Sequence, residues 1–242
     1  MKTIAIMQPY IFPYLPYFQL FKVANIFVFL DDVQYISRGL VNRNRILYRG
    51  APQYITFPLK KASQTCKINE RIFADNIEYA KSKIHRQLYY AYSKAPYFRS
   101  VYPLLESIIF ADESNLAKFA EYSHKVILDF LDISVETIRS SDLNFETSLK
   151  GEEHIFAIVK ACGGTRYVNP IGGYALYTNG IFEKESIELR FLKSTAEPYK
   201  QFSNEFVPNL SIIDVLMFNS KTEIRRRLTQ FELLSMSFTE QY

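Results

Sequence analysis

The first 32 residues constrain the fold more than any other stretch. Thr3-Ile4-Ala5-Ile6-Met7 is a short, continuously apolar run, the pattern of a strand buried on both faces. Pro9, Pro13 and Pro16 follow. Proline lacks an N–H and pushes the residue before it into extended backbone, so this stretch is a loop. Pro16 suits the first turn of a helix, and Tyr17 to Ala24 carries the matching apolar spacing. Ile26-Phe27-Val28-Phe29-Leu30 is a second β-favouring run, ending in Asp31-Asp32. Strand, loop, helix and strand in so short a span form a βαβ unit, which requires a parallel pair with a right-handed crossover.

The alternation continues along the chain. Asn42 to Leu47 and Gln53 to Leu59 flank Gly50-Ala51-Pro52 and predict a hairpin. Helical spacing covers residues 76–110, with a break at Ala95-Pro96, and then Leu116 to Leu131. Ser134 to Ile138 reads as a strand, and Glu152 to Ala161 as a helix stopped by Gly163-Gly164. A short strand, Tyr167 to Asn169, runs into Pro170-Ile171-Gly172-Gly173, with a helix expected beyond. Ile187 to Leu192 is strand-like, and Ser211 to Phe218 is helical behind a Ser211-x-x-Asp214 capping box. A last polar helix follows from Glu223. The expected class is therefore α/β with a mostly parallel sheet, as one domain over residues 1–242, with the hairpin and the helices near 76–131 as a subsidiary lobe.

Composition narrows the function classes. The chain has 242 residues with 29 Lys+Arg against 25 Asp+Glu, and a net charge of +4 is too mild to indicate a nucleic-acid partner. No apolar run approaches the roughly 20 residues of a membrane span. Met1 to Pro9 holds one lysine and no signal-peptide core. Cys66 and Cys162 supply neither a disulfide framework nor a zinc pattern, so the expected compartment is the reducing cytoplasm. Aromatics are abundant: 20 Phe and 18 Tyr, with no Trp. A Phe core with Tyr at its rim accounts for them, as do half-wet grooves or interfaces.

The densest polar and aromatic cluster is residues 7–19, at the C-terminal end of the first strand, where open α/β sheets place their ligand crevice. Gln8, Tyr10 and Tyr17 are its candidate ligand contacts, and the helix starting near Pro16 is expected to aim its N–H groups there. Asp31 and Asp32 end the neighbouring strand; such acids cap turns, act as general bases, accept from ribose hydroxyls or hold magnesium. Gln34 and Tyr35 sit beside them. Arg38, Arg43 and Arg45 interleave with Asn42 and Asn44, and on a strand Arg43 and Arg45 share one face. That ribbon fits a phosphate or carboxylate, or simply a solvated edge. Asn169, Gly172 and Gly173 offer a second strand-to-helix turn, without the lysine of a Walker loop. Cys162 ends a helix, where the dipole opposes a thiolate, so a packed and inert thiol is expected. His85, His124 and His154 are scattered and read as surface or core-rim side chains.

Several blocks together resemble the WbqC-like family: Met7-Gln8-Pro9-x-x-Phe12-Pro13-x-x-x-Tyr17-Phe18, Phe29-Leu30-Asp31-Asp32-Val33-Gln34-Tyr35, and Arg38 with Asn42-Arg43-Asn44-Arg45. Tyr167-x-Asn169-x-x-Gly172-Gly173 and Phe206-x-Pro208-x-Leu210-Ser211 extend the likeness over nearly the whole chain. The chain carries Leu15-Pro16 where many members have a glycine. The resemblance implies a role in bacterial surface polysaccharide (O-antigen, lipopolysaccharide) synthesis. The implied reaction is N-acyl or aminoacyl transfer, glycyl included, onto a nucleotide-linked amino sugar. An acyl or aminoacyl thioester, carried by an acyl-carrier protein, is the implied donor. Asp32 is then the expected base or amine anchor, Gln8 and Asn44 the candidate donors to the oxyanion, and Arg43 with Arg45 the diphosphate grip. The βαβ start is also similar to Rossmann-like nucleotidyltransferases, but Tyr14 to Phe18 lacks the two histidines that hold phosphates there. Non-catalytic nucleotide-sugar or glycan binding, and nucleotidyl transfer with magnesium at Asp31 and Asp32, are the alternatives.

Overall fold

The computed structural model describes residues 1–146, 148–177, 179–202 and 205–236. It begins with strand β1 (Thr3–Met7), helix α1 (Leu15–Val23) and strand β2 (Ile26–Phe29), the expected βαβ unit. Proline stands in the first turn of α1, so Leu15-Pro16 starts this helix rather than diverting it. Strands β3 (Arg43–Tyr48) and β4 (Ala51–Thr56) form a hairpin whose two-residue turn, Arg49-Gly50, has positive φ at both positions, as the strand twist requires. Helices α2 (Ile77–Tyr92), α3 (Phe98–Ile109) and α4 (Leu116–Phe130) come next, then strand β5 (Glu136–Arg139). Helix α5 (Gly151–Ala161), strand β6 (Arg166–Pro170), short helix α6 (Asn179–Lys184) and strand β7 (Glu188–Ser194) follow. Helices α7 (Ile212–Phe218) and α8 (Lys221–Leu228) and strand β8 (Phe231–Leu234) complete the described chain.

The main sheet has the order β5-β2-β1-β6-β7-β8. All neighbours are parallel except β7 and β8. Side chains alternate between its faces. Ala5, Phe27, Phe29 and Val168 join one core, while Ile4, Ile6, Val28 and Tyr167 join the other. Both faces are thus covered, which is why β1 and β2 read as unbroken apolar runs. The helices near 76–131 share the first of these cores with the sheet: Leu88, Leu105, Phe119 and Phe27 belong to one cluster.

Local chemistry explains most boundaries. Helix α5 ends in two reverse bonds, Gly164 N–H to Val159 O (2.9 Å) and Gly163 N–H to Lys160 O (2.8 Å), with Gly163 at φ +63. That is a Schellman ending, and it needs glycine. The turn after β6 is a 3₁₀ segment, Ile171–Leu176, and the helix expected beyond it is α6. Two expectations are corrected. Strand β8 lies where only a polar helix was read, because its pairing with β7 is a tertiary choice. Ser211 caps α7 by accepting from Ile213 N–H, but Asp214 does not complete a box; its carboxylate turns to Tyr92, Tyr199 and Gln201.

Candidate functional site

From β1 the chain builds outward through β2 to β5, and from β6 it builds the opposite way through β7 to β8. The reversal falls between β1 and β6, and a crevice opens past the carboxyl ends of two strands that diverge in this way. A cleft of about 510 Å³ lies there. Gln8 leaves the end of β1 into it, Asn169 and Pro170 leave β6, and Gly172 and Gly173 form its wall. Tyr10, Tyr14, Asn44, Arg45, Tyr177 and Asn209 close the sides above Ile6, Met7, Leu30 and Ile155.

The polar groups of this cleft are poised rather than spent. The amides of Gln8 and the buried Asn169 have no hydrogen-bond partner among the described residues. A Cβ on Gly173 would stand 2.1 Å from Asn169 Nδ2, so this glycine is what lets that amide occupy its place. Asn44 is held firmly, its Nδ2 donating to Phe12 O at 2.7 Å while its Oδ1 accepts from Arg45 N–H at 2.8 Å. Arg45 donates to Asn209 O at 3.1 Å, fixing its guanidinium at the rim. Asn209 itself sits at φ 56, a left-handed conformation that asparagine tolerates better than most residues. Burial, and the proximity of each other's hydroxyl in the case of Tyr10, pushes the Tyr10 and Tyr14 phenols above their ordinary value of 10.0. They are hydrogen-bonding groups at neutral pH. Among the described lining residues there is no carboxylate, imidazole or thiol.

The acids lie to one side, at the end of β2. Asp31 is buried and committed: Ser141 N–H (3.0 Å) and Ser140 Oγ (3.0 Å) donate to its Oδ1, and Ser141 Oγ (2.7 Å) to its Oδ2. It ties the end of β2 to the turn after β5, leaving no oxygen free of protein donors. Asp32 Oδ1 shares the single Ser140 hydroxyl proton with Asp31, and Asp32 faces His154 on α5, with Oδ2 3.4 Å from Nε2. The other ring nitrogen, Nδ1, lies 3.3 Å from Leu149 O. Both neighbours of the imidazole are acceptors, so the doubly protonated ring suits them best. The Asp32 carboxylate beside it raises the His154 pKa against the effect of burial. Burial favours a neutral Asp32, yet the His154 imidazole beside it and the Ser140 hydroxyl outweigh it and hold the carboxyl below 3.8. Asp32 is an ion-paired brace in this arrangement, and α5 carries Ile155 from the same turn into the cleft.

Gln8, Tyr10, Asn44, Arg45, Asn169, Gly172 and Gly173 therefore meet in one cleft, and the other sequence candidates do not line it. Tyr17 is fully buried and donates to Gln8 O at 2.8 Å, shaping the loop from below. Asn42 accepts from Tyr35 Oη and donates to Phe57 O, a bracket beneath the hairpin. Gln34 donates to Gln64 O on the surface. Arg43 folds back on the carbonyls of Arg38 and Gly39 and covers the Tyr54 ring, and Arg38 is exposed at φ 64. The start of α1 presents little: Pro16 has no N–H, Tyr17 N–H bonds to Tyr14 O, and Leu15 and Pro16 line a different hollow. Sequence reasoning missed Tyr14, Tyr177, Asn209 and the Asp32–His154 pair. Their signals were a tyrosine inside the proline loop and an asparagine before the Leu210-Ser211 helix start. Cys162 is buried as expected, and burial pushes its thiol up. His124, expected near a rim, is fully buried against Tyr17 and Phe29, and burial lowers its pKa to about 3.

Among the described residues no group of three or more His, Cys, Asp and Glu is arranged to hold a metal ion. No described helix is long and apolar enough to cross a membrane. No solved structure matches the chain significantly. An uncharacterized protein of Mycobacterium tuberculosis, Rv1507c, is 30% identical over 226 residues, covering 92% of this chain and 96% of that relative. The model of the WbqC-like protein family matches residues 8–226, a span that includes every residue of the cleft except Ile6 and Met7. The chain belongs to the WbqC-like protein family.

Proposed function

We propose that the chain binds a nucleoside diphosphate-linked amino sugar in the cleft between β1 and β6 and acylates its amine, as a step in bacterial surface polysaccharide synthesis in the cytoplasm. In this reaction the sugar nitrogen attacks the carbonyl of an acyl or aminoacyl thioester, free or on a carrier protein. The C–N bond forms, the C–S bond breaks, and the thiol leaves with the amine proton. The observation that carries the reading is the pairing of two unpartnered amides, Gln8 and Asn169, with the fixed cation Arg45 at the topological switch of the sheet. A guanidinium suits a diphosphate, and free amides suit sugar hydroxyls or a developing oxyanion. The cleft volume of about 510 Å³ falls in the range of small-molecule sites.

The described lining residues include no side-chain base, and this chemistry tolerates that. A sugar amine with a pKa near the ~7.7–8.0 of an α-amino group is partly neutral at physiological pH. Positioning and oxyanion donors then supply the rate. The same feature favours a second reading, binding without turnover. Calorimetry with nucleoside diphosphate amino sugars, beside product assay with a thioester donor, tests both. Arg45→Gln is expected to weaken binding about 10- to 100-fold, the worth of one charge-assisted hydrogen bond. Gln8→Leu is expected to lower turnover more than affinity. Tight binding with no acylation leaves the second reading, and no binding of any such ligand overturns both.

A further inference from the structure

Four exposed tyrosines, Tyr79, Tyr89, Tyr90 and Tyr97, lie along α2 and at the start of α3. On α2, Tyr79, Lys83, Arg86 and Tyr90 recur at i, i+4, i+7 and i+11 and form a single exposed stripe opposite the buried Ile84 and Leu88. Tyr79 is 67% exposed and Tyr90 71%. Rings from α3 support the stripe: Phe98 stacks on Tyr102 at 4.6 Å, and Tyr89 meets Phe98 edge-on at 5.7 Å. Lys94 and Arg99 flank the turn between the two helices, both exposed. None of Lys83, Arg86, Lys94 and Arg99 has an ion-pair partner among the described residues. Of the acids nearby, Glu78 is matched to Lys81 at 2.9 Å, while Glu106 lies 3.2 Å from His85 Nε2, a contact that is an ion pair only when the imidazole is protonated.

We propose that the α2–α3 face seats the protein peripherally on an anionic phospholipid surface. The charge of the face is complementary to such a surface: among the described residues its four unmatched cations, Lys83, Arg86, Lys94 and Arg99, outnumber Glu106, the one acid there without a permanent counter-charge. Its exposed rings are mostly tyrosines, amphipathic groups that rest at headgroup level with one edge apolar and the hydroxyl wet. Lysine and arginine lay their stems along such rings and reach lipid phosphates with their heads. No leucine or isoleucine projects from this stripe, so the docking is shallow and driven by charge as much as by burial. The inference does not rest on what the cleft binds.

Co-sedimentation of the full chain with phosphatidylcholine vesicles, with and without about one-third phosphatidylglycerol, tests it. Binding is expected only to the anionic vesicles and is expected to fall as salt is raised. Each basic residue near such a surface strengthens adsorption about fivefold, so Lys83→Gln with Arg86→Gln should weaken it about 25-fold. Lys94→Gln with Arg99→Gln is a second, independent pair that should do the same. All four side chains are exposed, and circular dichroism checks that the fold is kept. Because the chain has no Trp, Tyr90→Trp provides a single reporter whose emission should shift to the blue on anionic vesicles. Equal binding to neutral vesicles, no binding, or binding unchanged by both pairs overturns the proposal. Capture of a soluble polyanion without vesicle binding overturns it too, in favour of an acidic protein partner.

Discussion

Replacing Asp32 by Asn isolates the charge of the Asp32–His154 pair, because the amide keeps the size of the side chain and can still accept from Ser140. In the native chain the two side chains are 9% and 11% exposed, with 3.4 Å between Oδ2 and Nε2. At an effective dielectric near 20 the attraction at that distance is about 5 kcal/mol. Desolvation of two nearly buried charges cancels most of it, leaving a net of about 1–2 kcal/mol. For a chain of this size that corresponds to a loss of roughly 2–8 °C in Tm. The pH dependence has a definite sign. His154 has its pKa raised above 6.5 by folding, so its contribution is full below that value and is lost as pH rises through the folded pKa. Asp32 has its pKa lowered below 3.8, so its contribution is full above that value and is lost as pH falls through the folded pKa. The pair therefore stabilises most between about pH 4 and 6.5. Scanning calorimetry of both proteins across pH 4.5 to about 9 should show the Tm gap widest near pH 5.5 and closing towards alkaline pH. A gap that stays constant across this range would refute the ion-pair reasoning. Turnover of Asp32→Asn at saturation should stay within about threefold of native, since the carboxylate does not line the cleft; a fall of 10²-fold or more would restore it as a general base.

Gly173→Ala should displace the Asn169 amide, because the new Cβ would stand 2.1 Å from Nδ2; ligand affinity measured by calorimetry is expected to fall about 10-fold with little change in Tm. Tyr92→Phe removes a hydroxyl that accepts from Leu47 N–H at 2.9 Å and donates to the buried Asp214 at 3.0 Å. An orphaned N–H and a lost donor to the buried Asp214 carboxyl predict a loss of about 2–4 kcal/mol by denaturant unfolding, with the slope unchanged. Cys162→Ala is expected to retain full turnover, and the native thiol to resist alkylating reagents at pH 8, because burial disfavours its thiolate.

Much of this molecule is written locally. Apolar runs of four or five residues, the prolines between them and the Gly163-Gly164 stop specify strands and helix ends through backbone sterics, which need no distant partner. The βαβ start, and with it the placing of a site beyond β1, follows from those local rules and from the handedness of the crossover. So it was legible that Gln8, Tyr10, Asn169 and the glycines beside it would line one cleft. Three things were not. Strand β8 is a strand only because β7 offers it an edge. Arg43 and Arg45 differ in role although they share a face, because one guanidinium finds the carbonyls of its own loop and the other reaches Asn209, 164 positions away. Asp32 reads as a base in the sequence, and only the fold shows His154, brought alongside by α5, as the neighbour that lowers its pKa. Hydrogen-bonding capacity is a property of the residue and is visible in sequence; whether that capacity is left free for a ligand depends on which neighbours the fold delivers, and only the tertiary structure decides that.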